Sequence, residues 1–169
     1  MITLDVLHSQ EFRYPILKFP IPGEGYEQWL GDGYYFWEEL EFAKWWGKTH
    51  KINNTHKKYS VFCTQLTFEE DDFIDTVFNE QDYKNFVCKI EKFANKYYAE
   101  FGEKPTLEEF NDFVEDYNLW SDIKVIRFQD ISNNVSLLKV RGYYYKKRIQ
   151  IRVIDPQIIT NFAHYKSFS

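Results

Sequence analysis

The residues Tyr83, Phe86, Val87, Ile90, Phe93, Ala94, Tyr97, Tyr98 and Phe101 recur at three- and four-residue steps. That period belongs to an amphipathic helix and to no strand, so a long helix over 79–101 must lay its apolar face on the rest of the chain. Gly102 follows in the position of a left-handed cap. Pro105-Thr106 then opens a second helix, with Thr106 and Glu109 spaced as a capping box. Its apolar face is Leu107, Phe110, Phe113 or Val114, and Tyr117. The two helices predict an α-helical hairpin over about 79–120. On either side of it the period changes to two. Ile2 to Leu7, Tyr59 to Thr67, Asp122 to Phe128, Val135 to Tyr145 and Ile149 to Ile154 alternate as strands, with a turn at Ser132-Asn133-Asn134. Val61 and Cys63 on one face of the second strand, and Phe62, Thr64 and Leu66 on the other, give it a central place in the sheet. Asp155-Pro156 stops the strand at Ile154, and Ile158 to Tyr165 reads as a short closing strand or turn. The fold class is therefore α+β, an antiparallel sheet with an inserted helical hairpin. A chain of 169 residues is long enough for one stable core, so 1–169 reads as a single domain.

Charge and cysteine usage narrow the functions. The net charge of −5 carries no broad basic surface for a phosphate backbone. One local basic run, Lys146-Lys147-Arg148 after Tyr143-Tyr144-Tyr145, has the makings of a phosphate grip or a base stack, or of a solvated hairpin end beside a lysine-guarded edge. Cys63 and Cys88 have no metal-type spacing and read as buried thiols in a reducing cytoplasm. His50 and His56, six residues apart in a polar loop, form no recognised metal arrangement, and no metal site is expected. There is no signal peptide pattern and no apolar run of about 18 residues, so the chain reads as cytoplasmic with no membrane contact. Phosphate-loop and dinucleotide-fold motifs are missing, and neither cysteine lies beside a base. Glu69-Glu70-Asp71-Asp72 reads as a solvated acidic turn, the other reading being paired carboxylates that bind a hard cation or act as acid and base. Glu108, Glu109, Asp112, Glu115 and Asp116 make the helical hairpin acidic, either a solvated face or a dock for a basic protein partner.

The stretch most suggestive of chemistry is Gly31-Asp32-Gly33-Tyr34-Tyr35-Phe36-Trp37, followed by Glu38 to Lys48. Its two glycines permit a tight turn or close approach to a ligand, and an aromatic strand then runs into a helix with Leu40, Phe42, Ala43, Trp45 and Trp46 on a wide apolar face. Upstream lies Leu4-Asp5-Val6-Leu7-His8-Ser9-Gln10, with His8 at the end of a strand. Downstream lies Arg148-Ile149-Gln150-Ile151-Arg152-Val153-Ile154-Asp155. If Ile149, Ile151 and Val153 face the core, Gln150 and Arg152 face a cleft. These pieces, in this order, resemble the histidine, tyrosine and glutamate motifs of the ADP-ribosyltransferase fold, in the branch of the poly-ADP-ribose polymerases and diphtheria-type toxins.

The resemblance implies a split antiparallel β-sandwich with NAD, as substrate, in the cleft between two small sheets. His8 would hold the nicotinamide ribose hydroxyl and Tyr35 would stack on the nicotinamide ring. Ser9 and Gly33 would border the ring, and Trp46 or Trp45 would close its other side. The loop from Arg13 to Trp29 would be either a lid or a plain surface connection. Two departures stand out. The family has Gly then Thr or Ser after the histidine, where this chain has Ser9 and Gln10. It also has a glutamate where this chain has Gln150, and an amide can hydrogen-bond a ribose hydroxyl but carries no charge and is no base. The Glu69–Asp72 run and Glu38 or Glu39 are candidates to replace that carboxylate, Glu38 first because it is nearer Tyr35 in sequence. The readings left open are an ADP-ribosyltransferase or NAD glycohydrolase acting on an acceptor such as protein or nucleic acid, an NAD- or ADP-ribose-binding module without turnover, and an unrelated interaction domain.

Overall fold

The computed structural model describes residues 1–24, 30–52, 55–130 and 147–169. The expected turn at Ser132-Asn133-Asn134, the strand from Val135 to Tyr145, and Lys146 lie outside the described residues. Chain order is β1 (Ile2–Glu11), β2 (Tyr34–Trp37), α1 (Leu40–His50), β3 (Tyr59–Phe68), β4 (Phe73–Asp75), α2 (Glu80–Phe101), α3 (Leu107–Asp116), β5 (Val125–Asp130), β6 (Arg148–Val153) and β7 (Ile159–Phe168). The architecture is mixed α+β, with seven strands and three helices among the described residues.

The strands form one hydrogen-bonded sheet in the order β4-β5-β6-β2-β1-β3-β7. All neighbours are antiparallel except β4 and β5, which run parallel over three positions because the α2–α3 hairpin carries the chain back between them. The sheet has a narrow waist. β1 pairs with β3 through ten positions, from Ile2 opposite Phe68 to Glu11 opposite Tyr59, but meets β2 at a single position, Leu7 opposite Trp37. Two wider half-sheets, β4-β5-β6-β2 and β1-β3-β7, are thus joined through one pairing.

Helix ends follow their local chemistry. The Asn79 side chain accepts hydrogen bonds from Gln81 N and Asp82 N at the start of α2, and Gly102 ends it with φ 75°. Thr106 and Glu109 close a reciprocal capping box on α3. The helices cover different parts of the sheet. Phe86, Phe110, Val114 and Trp120 from the hairpin region pack with Ile126 and Phe128 of β5, while Phe42 and Ala43 of α1 pack with Trp37, Tyr59 and Val61. A third cluster of Val6, Phe36, Leu66, Val125, Ile151 and Val153 spans the waist. Removing nine such side chains from water is what holds the two halves together.

Several details differ from the sequence reading. β1 continues past His8 to Glu11 because β3 supplies a full set of partners, so His8 sits inside the strand rather than at its end. β7 is a ten-residue strand, and it makes β3 an interior strand. Cys63 and Cys88 are both exposed rather than buried, since Cys63 points off the outer surface of β3 and Cys88 falls on the solvent side of α2. Tyr117 is two-thirds exposed at 67% and contributes little to the face of α3. Among the described residues no helix is long and apolar enough to cross a membrane.

Candidate functional site

The narrow waist creates a cavity. Beyond the Leu7–Trp37 pair the strands β1 and β2 part, and the gap between His8-Ser9-Gln10 and Tyr35 holds a space of about 90 Å³. Trp37 pairs in turn with Gln150 of β6, which brings that amide to the same space from the far side. Of the residues singled out in the sequence, His8, Ser9, Tyr35, Trp46 and Gln150 all line it. They come from three strands and a helix that are separated by more than a hundred positions in the chain. Ile21, Pro22 and Gly23 roof the cavity, so part of the 13–29 segment does border it.

Gly33 is not a lining residue. Its backbone exchanges two hydrogen bonds with Gly23, at 2.7 and 3.0 Å, and so hangs the roof on the edge of β2. A Cβ at Gly33 would stand 2.8 Å from the Val153 carbonyl, at a φ of 154°. The close approach that the glycine permits is therefore to β6 rather than to a ligand.

The polar groups differ in how well they are satisfied. Ser9 Oγ donates to the Ala43 carbonyl of α1 at 2.6 Å, so its hydroxyl proton is already used. The Tyr35 hydroxyl donates to the Gly31 carbonyl, and burial pushes its pKa well up. That bond, together with packing against the cluster of Leu30, Phe86 and Phe110, holds the Tyr35 ring. His8 Nδ1 lies 2.9 Å from the Tyr35 carbonyl. A carbonyl only accepts, so Nδ1 carries the proton and Nε2 keeps its lone pair. Nε2 is buried with no partner among the described residues, as is Gln150 Oε1. Both are acceptors, and each unpaired acceptor costs about 1–3 kcal/mol until a donor meets it. Burial, the dominant cause, together with the nearby Lys51 ammonium, lowers the His8 pKa to about 4, against smaller opposing contributions from the Tyr35 carbonyl and the Gln10 side chain. His8 is thus a neutral acceptor at physiological pH.

The aromatic wall is well supported. Trp46 lies 5.8 Å from Trp37 and stacks on His50 at 4.0 Å, while Trp45 meets Trp37 edge-on at 6.3 Å. The Arg148 guanidinium stands 3.9 Å from the Trp45 ring, within cation–π range. Arg148 also pairs with Asp130 at 2.7 Å and is 8% exposed. The end of the basic run is therefore a buried structural cation and not a solvated hairpin end.

Lys51 is a lining residue that the sequence reading missed. It follows the last turn of α1, and burial lowers its pKa. Nothing local in Lys48 to Lys58 distinguishes it from its neighbours. Among the described lining residues there is no carboxylate. Glu38 does not fill that role, because it is held 2.8 Å from Arg127 Nη2, while Nη1 of the same guanidinium pairs with Asp75 at 2.7 Å. Among the described residues no group of three or more His, Cys, Asp or Glu side chains could hold a metal ion.

Two further hollows lie on the helical side. One of about 730 Å³ runs between β4, the start of α2 and Trp120, and another of about 340 Å³ lies between α2 and α3. The larger is lined by several carboxylates, but Asp75 is neutralised by Arg127 and Asp82 accepts the Asp75 backbone N–H at 2.9 Å. Comparisons with protein-family models, with curated proteins and with solved structures each find no match.

Proposed function

We propose that the chain is an NAD-binding, ADP-ribosyltransferase-like protein, in which the nicotinamide end of NAD enters the cavity at the waist of the sheet. The observation that carries this reading is the convergence of His8, Tyr35 and Gln150 on one cavity, with two buried acceptors unpartnered among the described residues. A ligand that brought hydroxyl or amide N–H donors to His8 Nε2 and Gln150 Oε1 would remove the cost of both. Ribose hydroxyls and a carboxamide are such donors. Stacking on Tyr35 and Trp46 would add about 0.5–1.5 kcal/mol beyond ring burial.

A cavity of about 90 Å³ is well below the roughly 300–1,000 Å³ of a site that encloses a drug-sized ligand. It would take one ring, and the remainder of the dinucleotide would lie outside it, past Lys51. In the catalytic form of this reading, loss of nicotinamide leaves an oxocarbenium-like ribose. Gln150 stabilises that charge only through its amide dipole, and a missing preorganised charge costs about 3–4 kcal/mol of transition-state stabilisation. Transfer of ADP-ribose to an acceptor is then slow. A second reading, binding without turnover, is favoured by the same residue and by the engagement of Glu38 with Arg127.

Calorimetry with NAD, run beside nicotinamide release on wild type, Tyr35→Ala and Gln150→Glu, tests both. Wild-type binding that is lost in Tyr35→Ala supports the site. Release that rises about 100- to 1,000-fold in Gln150→Glu identifies the missing charge as the limit on catalysis. No NAD binding by the wild type overturns the proposal.

A further inference from the structure

The hollow between α2 and α3 has an apolar floor of Phe93, Phe110, Phe113, Val114 and Trp120, with a volume of about 340 Å³. It shares no lining residue with the His8 cavity, and its argument does not rest on NAD. Along one rim stand Lys89, Lys92 and Lys96, all exposed. Their three- and four-residue spacing puts them on one stripe of α2, a row about 10 Å long. Among the described residues none of the three forms an ion pair, and Lys89 lies 5.6 Å over the Trp120 ring. On the other side, Leu119 is 52% exposed, so the apolar floor reaches open solvent.

The acids of the hairpin do not supply this groove with its charge. Glu109 is spent on the Thr106 cap and on the Tyr97 hydroxyl, and Glu115 on Arg152. The sign of the groove is thus opposite to that of the hairpin as a whole. We propose that it docks an acidic amphipathic helix of a partner protein, with apolar side chains on the floor and carboxylates against the lysine row.

Three considerations favour this occupant. A fatty acid offers one carboxylate, whereas three cations at helical spacing match several anions at the same spacing. An anionic membrane is a broad surface and would also meet Glu91, Glu100, Glu103, Asp112 and Asp116, all exposed on the same two helices or their link. A narrow helix confines its charge to the one basic stripe. The floor is also concave and lies between two helices, which suits insertion of apolar anchors.

The test is a display library of helical peptides whose apolar stripe varies among Leu, Phe and Ala and whose flanking positions vary between Glu and Lys, selected on the whole chain. Peptides with Glu beside Leu or Phe should be enriched. Their binding should weaken about tenfold or more on Lys92→Glu/Lys96→Glu, and should fall as salt rises from about 50 to about 500 mM. Amide shifts on binding should cluster at Phe113 to Trp120. The lysines are exposed, so circular dichroism of the variant should match wild type. Enrichment of Lys-bearing peptides, no enrichment, or binding unchanged in the variant each overturn the proposal. So does preferential binding of oleate or of phosphatidylserine vesicles, or a dimer in sedimentation that the variant abolishes, since each assigns the groove to another occupant.

Discussion

Two buried polar clusters occupy the same sheet, and they are treated in opposite ways. On β5, Arg127 meets Asp75 at 2.7 Å and Glu38 at 2.8 Å, and Asp75 also accepts from Val77 N and Phe78 N at 3.0 Å. At the waist, His8 Nε2 and Gln150 Oε1 have no partner among the described residues. Paired buried charge is structural scaffolding, because each carboxylate already has its cation, although Arg127 Nε is itself left without a partner among the described residues. Unsatisfied buried acceptors are a standing cost, and a fold retains such a cost most readily where something else supplies the missing donors. The difference lets Glu38 be assigned to scaffolding and Gln150 to the site, although both lie close to the same aromatic strand.

Breaking the satisfied cluster should have the largest effect. Arg127→Leu strands Asp75 and Glu38 without their cation and should cost about 3–5 kcal/mol in urea denaturation. Next in size is a pH effect from the unsatisfied cluster. The His8 pKa falls from 6.5 to about 4 on folding, so the unfolded chain binds more protons between those values. Stability should be full above about pH 6.5 and fall by up to about 3 kcal/mol toward pH 4. His8→Leu should flatten that slope, as followed by denaturant midpoints across the range. Glu38→Gln should cost about 1–3 kcal/mol and leave the rate of nicotinamide release unchanged. A fall in release with stability intact would instead make Glu38 the substitute carboxylate. Smallest of all, Gln150→Leu should leave stability within about 1 kcal/mol of wild type, on the stabilising side, while NAD binding measured by calorimetry is lost. Retained NAD binding in that variant would end the contrast.

The parts of this fold that a reader of the sequence can see are those decided within a few residues. Asn79 and Gly102 bracket α2, and Thr106 with Glu109 opens α3, because capping is local chemistry. What was hidden depends on partners distant in the chain. The end of β1 is set by Tyr59 and Ser60 of β3, and β7 is a full strand because β3 pairs with it despite exposed polar positions along its length. The same holds at the site. His8, Tyr35 and Gln150 could be picked out from their surroundings, but the engagement of Glu38 rests on an arginine in another strand. The exposure of Cys63 and the approach of Lys51 likewise follow from how strands and helix sit, which no local pattern records.

The placement of β6 bears on when the molecule can assemble. It lies between β5 and β2, and all six of its residues are buried. The pairing that links β5 to β2 waits for residues 148–153. A nascent chain that has already made the helical hairpin and β5 therefore carries two unzipped strand edges, on β2 and β5, until residues 148–153 emerge. Such high contact order slows folding and leaves those edges open to pairing with other chains. The same strand delivers Gln150, so the cavity at the waist is complete only once residues 148–153 have paired.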